Sequence, residues 1–204
     1  MKKRSVITMM IIVCFSFILL RCTNAASSEK KISNDSTSVN RYEGFANEVE
    51  WGKHLVIIAG CNDCHTPKKM TPMGPVPDTS LMLSGHPAKM PAPSVNRKEM
   101  ESKGLAVTND LTAWVGPWGI SYAANLTPDK TGIGDWNEQQ FIRCIREGKW
   151  MGLENARQLL PPMPWQELGR MRDGELKAVF AYLKSIKPVN NLVPQPAPPV
   201  TARK

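Results

Sequence analysis

Cys61-Asn62-Asp63-Cys64-His65 is the stretch whose reading decides the fold. Two cysteines separated by two residues, with a histidine immediately after, match the attachment pattern for a c-type haem. Each sulfur would add across one vinyl group of the porphyrin, and the two-residue gap suits the separation of the two vinyls. His65 then falls where its imidazole can ligate the iron. A zinc ribbon would need a second cysteine pair, and a thioredoxin-like centre a βαβ surround. Neither accompanies the motif, because the other cysteines are Cys14, Cys22 and Cys144.

The N-terminus supports this reading independently. Lys2, Lys3 and Arg4 precede an uncharged apolar run over residues 6–20, too short for a comfortable membrane span and typical of an export signal. Thioether attachment of haem takes place outside the cytoplasm, so a chain carrying the motif is expected to be exported. Two cleavage schemes stand. Thr23-Asn24-Ala25 suits a general signal peptidase and makes residues 1–25 a signal peptide. Leu19-Leu20-Arg21-Cys22 resembles a lipoprotein signal ending before Cys22, although Arg21 occupies a position where a small residue is expected. A lipidated Cys22 would attach the chain to a membrane. Residues 26–41, rich in Ser, Asn and Thr, then form a flexible linker.

Residues 42–190 are expected to form the haem domain. A first helix over 47–59 places Phe45, Val49, Gly52 and Val56 at helical spacing. Gly52 is costly inside a helix unless another helix crosses there closely. The natural partner is a last helix over 173–186, with Leu176, Val179, Phe180, Leu183 and Ile186 as its apolar stripe and Pro188 beyond its end. A third helix carries the clearest signals: Asn137 as cap, Gln140 at the capping-box position, and Gly148 as the stop. Cys144 falls on its apolar face beside Phe141 and Ile145 and reads as core. Between His65 and this helix lies a segment rich in proline, methionine and glycine. It offers a short helix over 96–103 and a hairpin of Val107-Thr108 with Thr112-Ala113-Trp114-Val115 across Asn109-Asp110. Residues 191–204 form a proline-rich tail, read as extended chain that wraps the surface or hangs free.

The far side of the iron needs its own argument. Met163 sits in Leu159-Leu160-Pro161-Pro162-Met163-Pro164-Trp165, where prolines stiffen a strap between the third and last helices. Such a strap can hold a thioether opposite His65. Met163 could equally fill an apolar gap, but the haem motif upstream and the closing helix downstream favour ligation. His86 and His54 are the competing sixth ligands.

Six stretches resemble class I cytochromes c, and more narrowly the single-haem cytochromes that serve as electron-transfer partners or subunits of bacterial periplasmic dehydrogenases. They are Gly60-Cys61-Asn62-Asp63-Cys64-His65-Thr66-Pro67, Gly116-Pro117-Trp118-Gly119, Ala124-Asn125-Leu126-Thr127-Pro128-Asp129, Thr131-Gly132-Ile133-Gly134-Asp135-Trp136, Leu160-Pro161-Pro162-Met163-Pro164-Trp165 and Phe180-Ala181-Tyr182-Leu183-Lys184-Ser185. The resemblance spans about residues 51–199. It implies a mainly α, cytochrome c-like helical domain around one covalently bound haem, with long loop insertions between the first and third helices. Cys61 and Cys64 would carry the haem c, and His65 and Met163 would be its axial ligands. Trp118, Asn125 and Trp165 are candidates for packing on the haem or bonding its propionates, with aromatic core and turn-forming Asn as the alternatives. Two features depart from the pattern. His65 and Met163 are widely separated, and one haem motif stands where dehydrogenase relatives often have three.

These residues imply one-electron transfer, with no catalytic residues of the chain's own. The partners would be a dehydrogenase as donor and an oxidase or another cytochrome as acceptor. Lys53, Lys68, Lys69 and Lys149 offer a basic rim for docking, or are simply solvated. If Met163 were displaced, an enzyme or sensor binding peroxide or a diatomic gas would be the alternative. A passive haem-bearing subunit is a third reading. The net charge of +8 is no argument for nucleic-acid binding, since Lys2, Lys3, Arg4 and Arg21 lie in the signal region.

Overall fold

The computed structural model describes residues 41–200. The readings of the export signal, both cleavage schemes, the lipidated Cys22 and all but the last residue of the linker lie outside the described residues.

Helix α1 (Glu48–Ile58) begins where Asn47 Oδ1 accepts from Glu50 N–H at 2.9 Å, and Glu48 and Glu50 lie near its positive end. It buries Trp51, Gly52, Leu55 and Val56. The expected stripe includes Val49, which is only half-buried, whereas Trp51 and Leu55 turn inward. The crossing explains the difference. A Cβ built on Gly52 would overlap the Ala178 carbonyl oxygen of the last helix, so the two backbones touch at this glycine and residues on both flanks of it face inward. A final single turn, α2 (Cys61–His65), follows directly through Gly60, whose φ of 67° favours glycine.

The chain then leaves helix. Strands β1 (Lys68–Thr71) and β2 (Gly74–Pro77) form an antiparallel hairpin in which Thr71 faces Gly74. After the short helix α3 (Arg97–Ser102) come β3 (Val107–Thr108), β4 (Ala113–Gly116) and β5 (Gly119–Tyr122). Val107 pairs with Val115 and Thr108 with Trp114, so the two segments of the hairpin reading do pair, but across residues 109–113 rather than Asn109-Asp110 alone. β5 adds a third strand, turning back across Pro117-Trp118 so that Gly116 faces Gly119.

Helix α4 (Glu138–Glu147) has the full capping box. Asn137 Oδ1 accepts from Gln140 N–H at 2.8 Å, Gln140 Oε1 accepts from Asn137 N–H at 3.0 Å, and Gly148 ends the helix with φ of 64°. Phe141, Cys144 and Ile145 are buried, and burial pushes the Cys144 thiol up to about 11. The proline strap leads into α5 (Trp165–Leu168) and then α6 (Asp173–Ser185), which buries Leu176, Ala178, Val179, Phe180 and Leu183. Phe180 meets Phe141 of α4 with ring centroids 5.3 Å apart. α1, α4 and α6 thus enclose one core, completed by Leu83 and Ile133 from the connecting segments.

The mainly α expectation is corrected here. Helices make up a minority of the described residues, and two small antiparallel sheets occupy the stretch expected as loops. The physical cause lies in that stretch's composition. Its prolines remove donors and forbid helical turns, while Val107, Val115, Ile120 and Tyr122 suit a pleated surface between glycine turns.

The tail beyond α6 lies along the body. Ile120 N–H donates to Ala197 O at 2.8 Å and Ala197 N–H to Ile120 O at 3.1 Å. Arg97 Nη2 donates to Pro198 O at 2.5 Å.

Candidate cofactor site

On the single turn α2, Cys61 and Cys64 are three residues apart and share one face, with His65 one residue on. Both thiols are half-buried, and Cys61 packs against the core. Burial pushes Cys61 up to about 11 and raises Cys64 as well, so both sulfurs stay protonated at neutral pH. Lys68 closes the C-terminal end of the turn. Its Nζ donates to Asp63 O at 2.8 Å and Thr66 O at 2.5 Å, next to the negative end of the helix.

His65 is 8% exposed, and burial holds its pKa below the usual imidazole value. The ring is therefore neutral at pH 7 and carries one N–H. Its Nδ1 lies 2.7 Å from Ala124 O. A carbonyl can only accept, so Nδ1 carries the proton and Nε2 keeps its lone pair. That tautomer is the one a metal needs, with the outer hydrogen bond making Nε2 more basic.

The Ala124 carbonyl is brought there by a stitched pair of segments. Thr66 Oγ1 accepts from Leu83 N–H at 3.0 Å, Gly85 N–H donates to His65 O at 2.7 Å, and Leu126 N–H donates to Leu83 O at 2.8 Å. Gly85 has φ of 77°, and a Cβ on it would meet Ala124 C at 2.5 Å. Only glycine allows this approach. Sequence reasoning marked the Ala124-to-Asp129 stretch but missed the role of the Ala124 carbonyl, since no side chain advertises it.

Met163 is half-buried and packs against the same core cluster as Cys61. Its strap is anchored from β5, where Ser121 Oγ donates to Pro161 O at 2.6 Å and accepts from Trp118 Nε1–H at 3.0 Å. Trp118 thus supports the strap through Ser121 while its ring folds over Gly116. Trp165 lies against the stop of α4, since a Cβ on Gly148 would come within 2.5 Å of its ring. Asn125, 3% exposed, is bonded through both amide atoms. Oδ1 accepts from Thr127 N–H and its hydroxyl at 2.9 and 2.8 Å, and Nδ2 donates to Val189 O at 2.8 Å. Its contacts bind neighbouring backbone.

The rival ligands are placed elsewhere. His86, 1% exposed, uses both ring nitrogens: Nε2 donates to Met90 O at 2.8 Å and Nδ1 lies 2.8 Å from Thr112 Oγ1. His54 is exposed on α1 with its ring on Phe45, centroids 4.9 Å apart. Among the proposed rim lysines, Lys68 is the helix cap and Lys69 pairs with Asp78 at 2.9 Å. Among the described residues no group of three or more His, Cys, Asp or Glu could hold a metal ion.

Two thiols on one face of a helical turn and a neutral imidazole with a free Nε2 fit a covalently held haem iron. Comparison with known proteins points the same way. No protein-family model matches the chain. It is 35% identical over 144 residues to the fructose dehydrogenase cytochrome subunit of Gluconobacter japonicus, covering 70% of this chain and 22% of that protein. It is 37% identical over 75 residues to the gluconate 2-dehydrogenase cytochrome c subunit of Pantoea cypripedii, covering 36% and 16%. The cytochrome c subunit of the quinone-type alcohol dehydrogenase of Gluconobacter oxydans is 31% identical over 91 residues, covering 43% and 18%. The chain is thus similar, at modest identity, to cytochrome c subunits of bacterial dehydrogenases, and spans less than a quarter of the length of each of these relatives.

Proposed function

We propose that the chain is a haem c electron carrier of the bacterial cell envelope, working with a dehydrogenase as donor and an oxidase or second cytochrome as acceptor. It carries electrons and performs no dehydrogenation itself. The similarity to dehydrogenase cytochrome subunits supports the class, and the His65 Nδ1–H bond to Ala124 O is the single observation that carries the site.

In this reading Cys61 and Cys64 would hold one haem, and His65 and Met163 would ligate its iron. The bound haem supplies a one-electron couple at its iron. The chain's residues do the rest. His65 is held neutral and oriented by Ala124, so it ligates in both oxidation states without proton movement. Met163 contributes a soft, uncharged thioether that favours the ferrous state. The strap that carries it is fixed to β5 through Ser121, so little rearranges on electron transfer. Trp118 and Trp165 border the strap and are the side chains suited to cover the ring. Export follows from the signal over residues 1–25, with lipidation at Cys22 as the anchoring alternative. Among the described residues no helix is long and apolar enough to cross a membrane.

The test is optical. Protein made in a host that attaches haem should keep its pigment through acid acetone and show the sulfur–iron band at the red end of the ferric spectrum. That band should vanish in Met163→Ala. Rapid carbon monoxide binding by the reduced wild type would instead favour the gas- or peroxide-binding reading.

A further inference from the structure

The carbonyl that orients His65 is held in place from the far end of the chain. Asn191 Nδ2 donates to Ser84 O at 2.7 Å and to His86 O at 2.9 Å, and Oδ1 accepts from Ala88 N–H at 2.9 Å. One side chain therefore clasps residues 84–88. Inside that clasp Gly85 N–H bonds His65 O at 2.7 Å and His86 N–H bonds Ala123 O at 2.9 Å. The same part of the tail also grips the other side. Asn191 N–H donates to Thr131 Oγ1 and Val189 N–H to Thr127 Oγ1, each at 3.0 Å, while Asn125 Nδ2 donates to Val189 O and Asn191 O at 2.8 and 3.3 Å. Residues 189–191 thus bridge the two backbone segments that meet at His65.

We propose that Asn191 is a positioning residue for His65, fixing through residues 84–88 and 125–131 the Ala124 carbonyl that accepts from Nδ1. The proposal rests on the haem reading above. Removing the Asn191 side chain leaves Ser84 O, His86 O and Ala88 N–H without this partner, and residues 84–88 loosen. The Nδ1–H···O bond then lengthens. Imidazole with a weaker outer acceptor donates less through Nε2, so ferric iron is stabilised less and the reduced form gains.

The experiment uses the full haem-bearing chain. In Asn191→Ala, the ratio of reduced to oxidised protein at a fixed solution potential rises about twofold to tenfold, the equivalent of one hydrogen bond. The His65 Nδ1–H proton resonance moves in the direction of a weaker bond. Arg97→Ala cuts the Pro198 tether together with the Arg97–Glu101 pair and leaves residues 189–191 alone, so both readouts stay at wild-type values. Should Asn191→Ala not accumulate, Asn191→Asp decides by the resonance alone: it keeps the acceptor for Ala88 N–H, loses both amide donors, and moves the His65 Nδ1–H resonance the same way. Wild-type values in a folded Asn191 variant, or an equal shift in Arg97→Ala, overturn the proposal. A colourless wild type would remove the haem reading separately. The Nδ1–H resonance of that uncoloured chain still decides for or against the Asn191 clasp.

Discussion

The helical shell and the stretch between α2 and α4, residues 66–137, are built on different principles. α1 and α4 carry their own instructions in an Asn cap, an apolar face and a glycine beyond the end, and α6 in its apolar face with Pro188 beyond its end. The intervening stretch has few such signals and is tied down by backbone bonds to distant residues, Ile120 of the sheet to Ala197 and Gly85 of the connecting segment to His65. The contrast matters because both regions contribute to the candidate site. The shell presents the Cys61–His65 turn and the irregular stretch supports it from the other side, where the Ala124 carbonyl sets the tautomer of His65.

The shell breaks most severely at its crossing point. Gly52→Val places methyl groups where the Ala178 backbone lies, and should cost at least about 3 kcal/mol of stability, read by denaturant unfolding. The irregular stretch has its own close approach. Gly85→Ala combines positive φ with a clash against Ala124 and should cost roughly 1–3 kcal/mol. Unlike Gly52→Val at matched stability, it should also disturb the haem spectrum, because it pushes on the His65 partner. Asn137→Ala removes the α4 cap and should cost about 1 kcal/mol with no spectral change.

The smallest effect is a pH dependence confined to the β1–β2 hairpin. Hydrogen bonds from Ser80, followed by the Lys69 ammonium, hold the Asp78 carboxyl below its ordinary value. A depressed carboxylate stabilises the folded form above the unfolded value, and that contribution is lost as pH falls through the folded one. Amide protection in β1 and β2, measured against the intrinsic exchange rate at each pH, should therefore fall below about pH 4, and Asp78→Asn should flatten the response.

What could be read in advance follows the same division. Asn137, Gln140 and Gly148 announce α4 to within a residue, and Gly52 announces a helix crossing that Ala178 provides. The mainly α expectation fails because the prolines and methionines after His65 suggest loops laid over helices, whereas short strands pair there into two small sheets. β5 sends no signal, because Gly119-Ile120-Ser121-Tyr122 is too short to show alternation. At the candidate site, residue types point to Cys61, Cys64, His65 and Met163. The Ala124 carbonyl and the Asn191 clasp were hidden, since a backbone oxygen and a bond spanning more than a hundred residues leave no local pattern.

The most direct test of the central claim is the absorption spectrum of wild-type chain from a haem-attaching host, recorded before and after acid-acetone extraction. The expected result is pigment that stays with the polypeptide, together with a sulfur–iron band in the ferric state. Colourless protein, or pigment that passes into the acetone, would contradict the assignment of Cys61, Cys64 and His65.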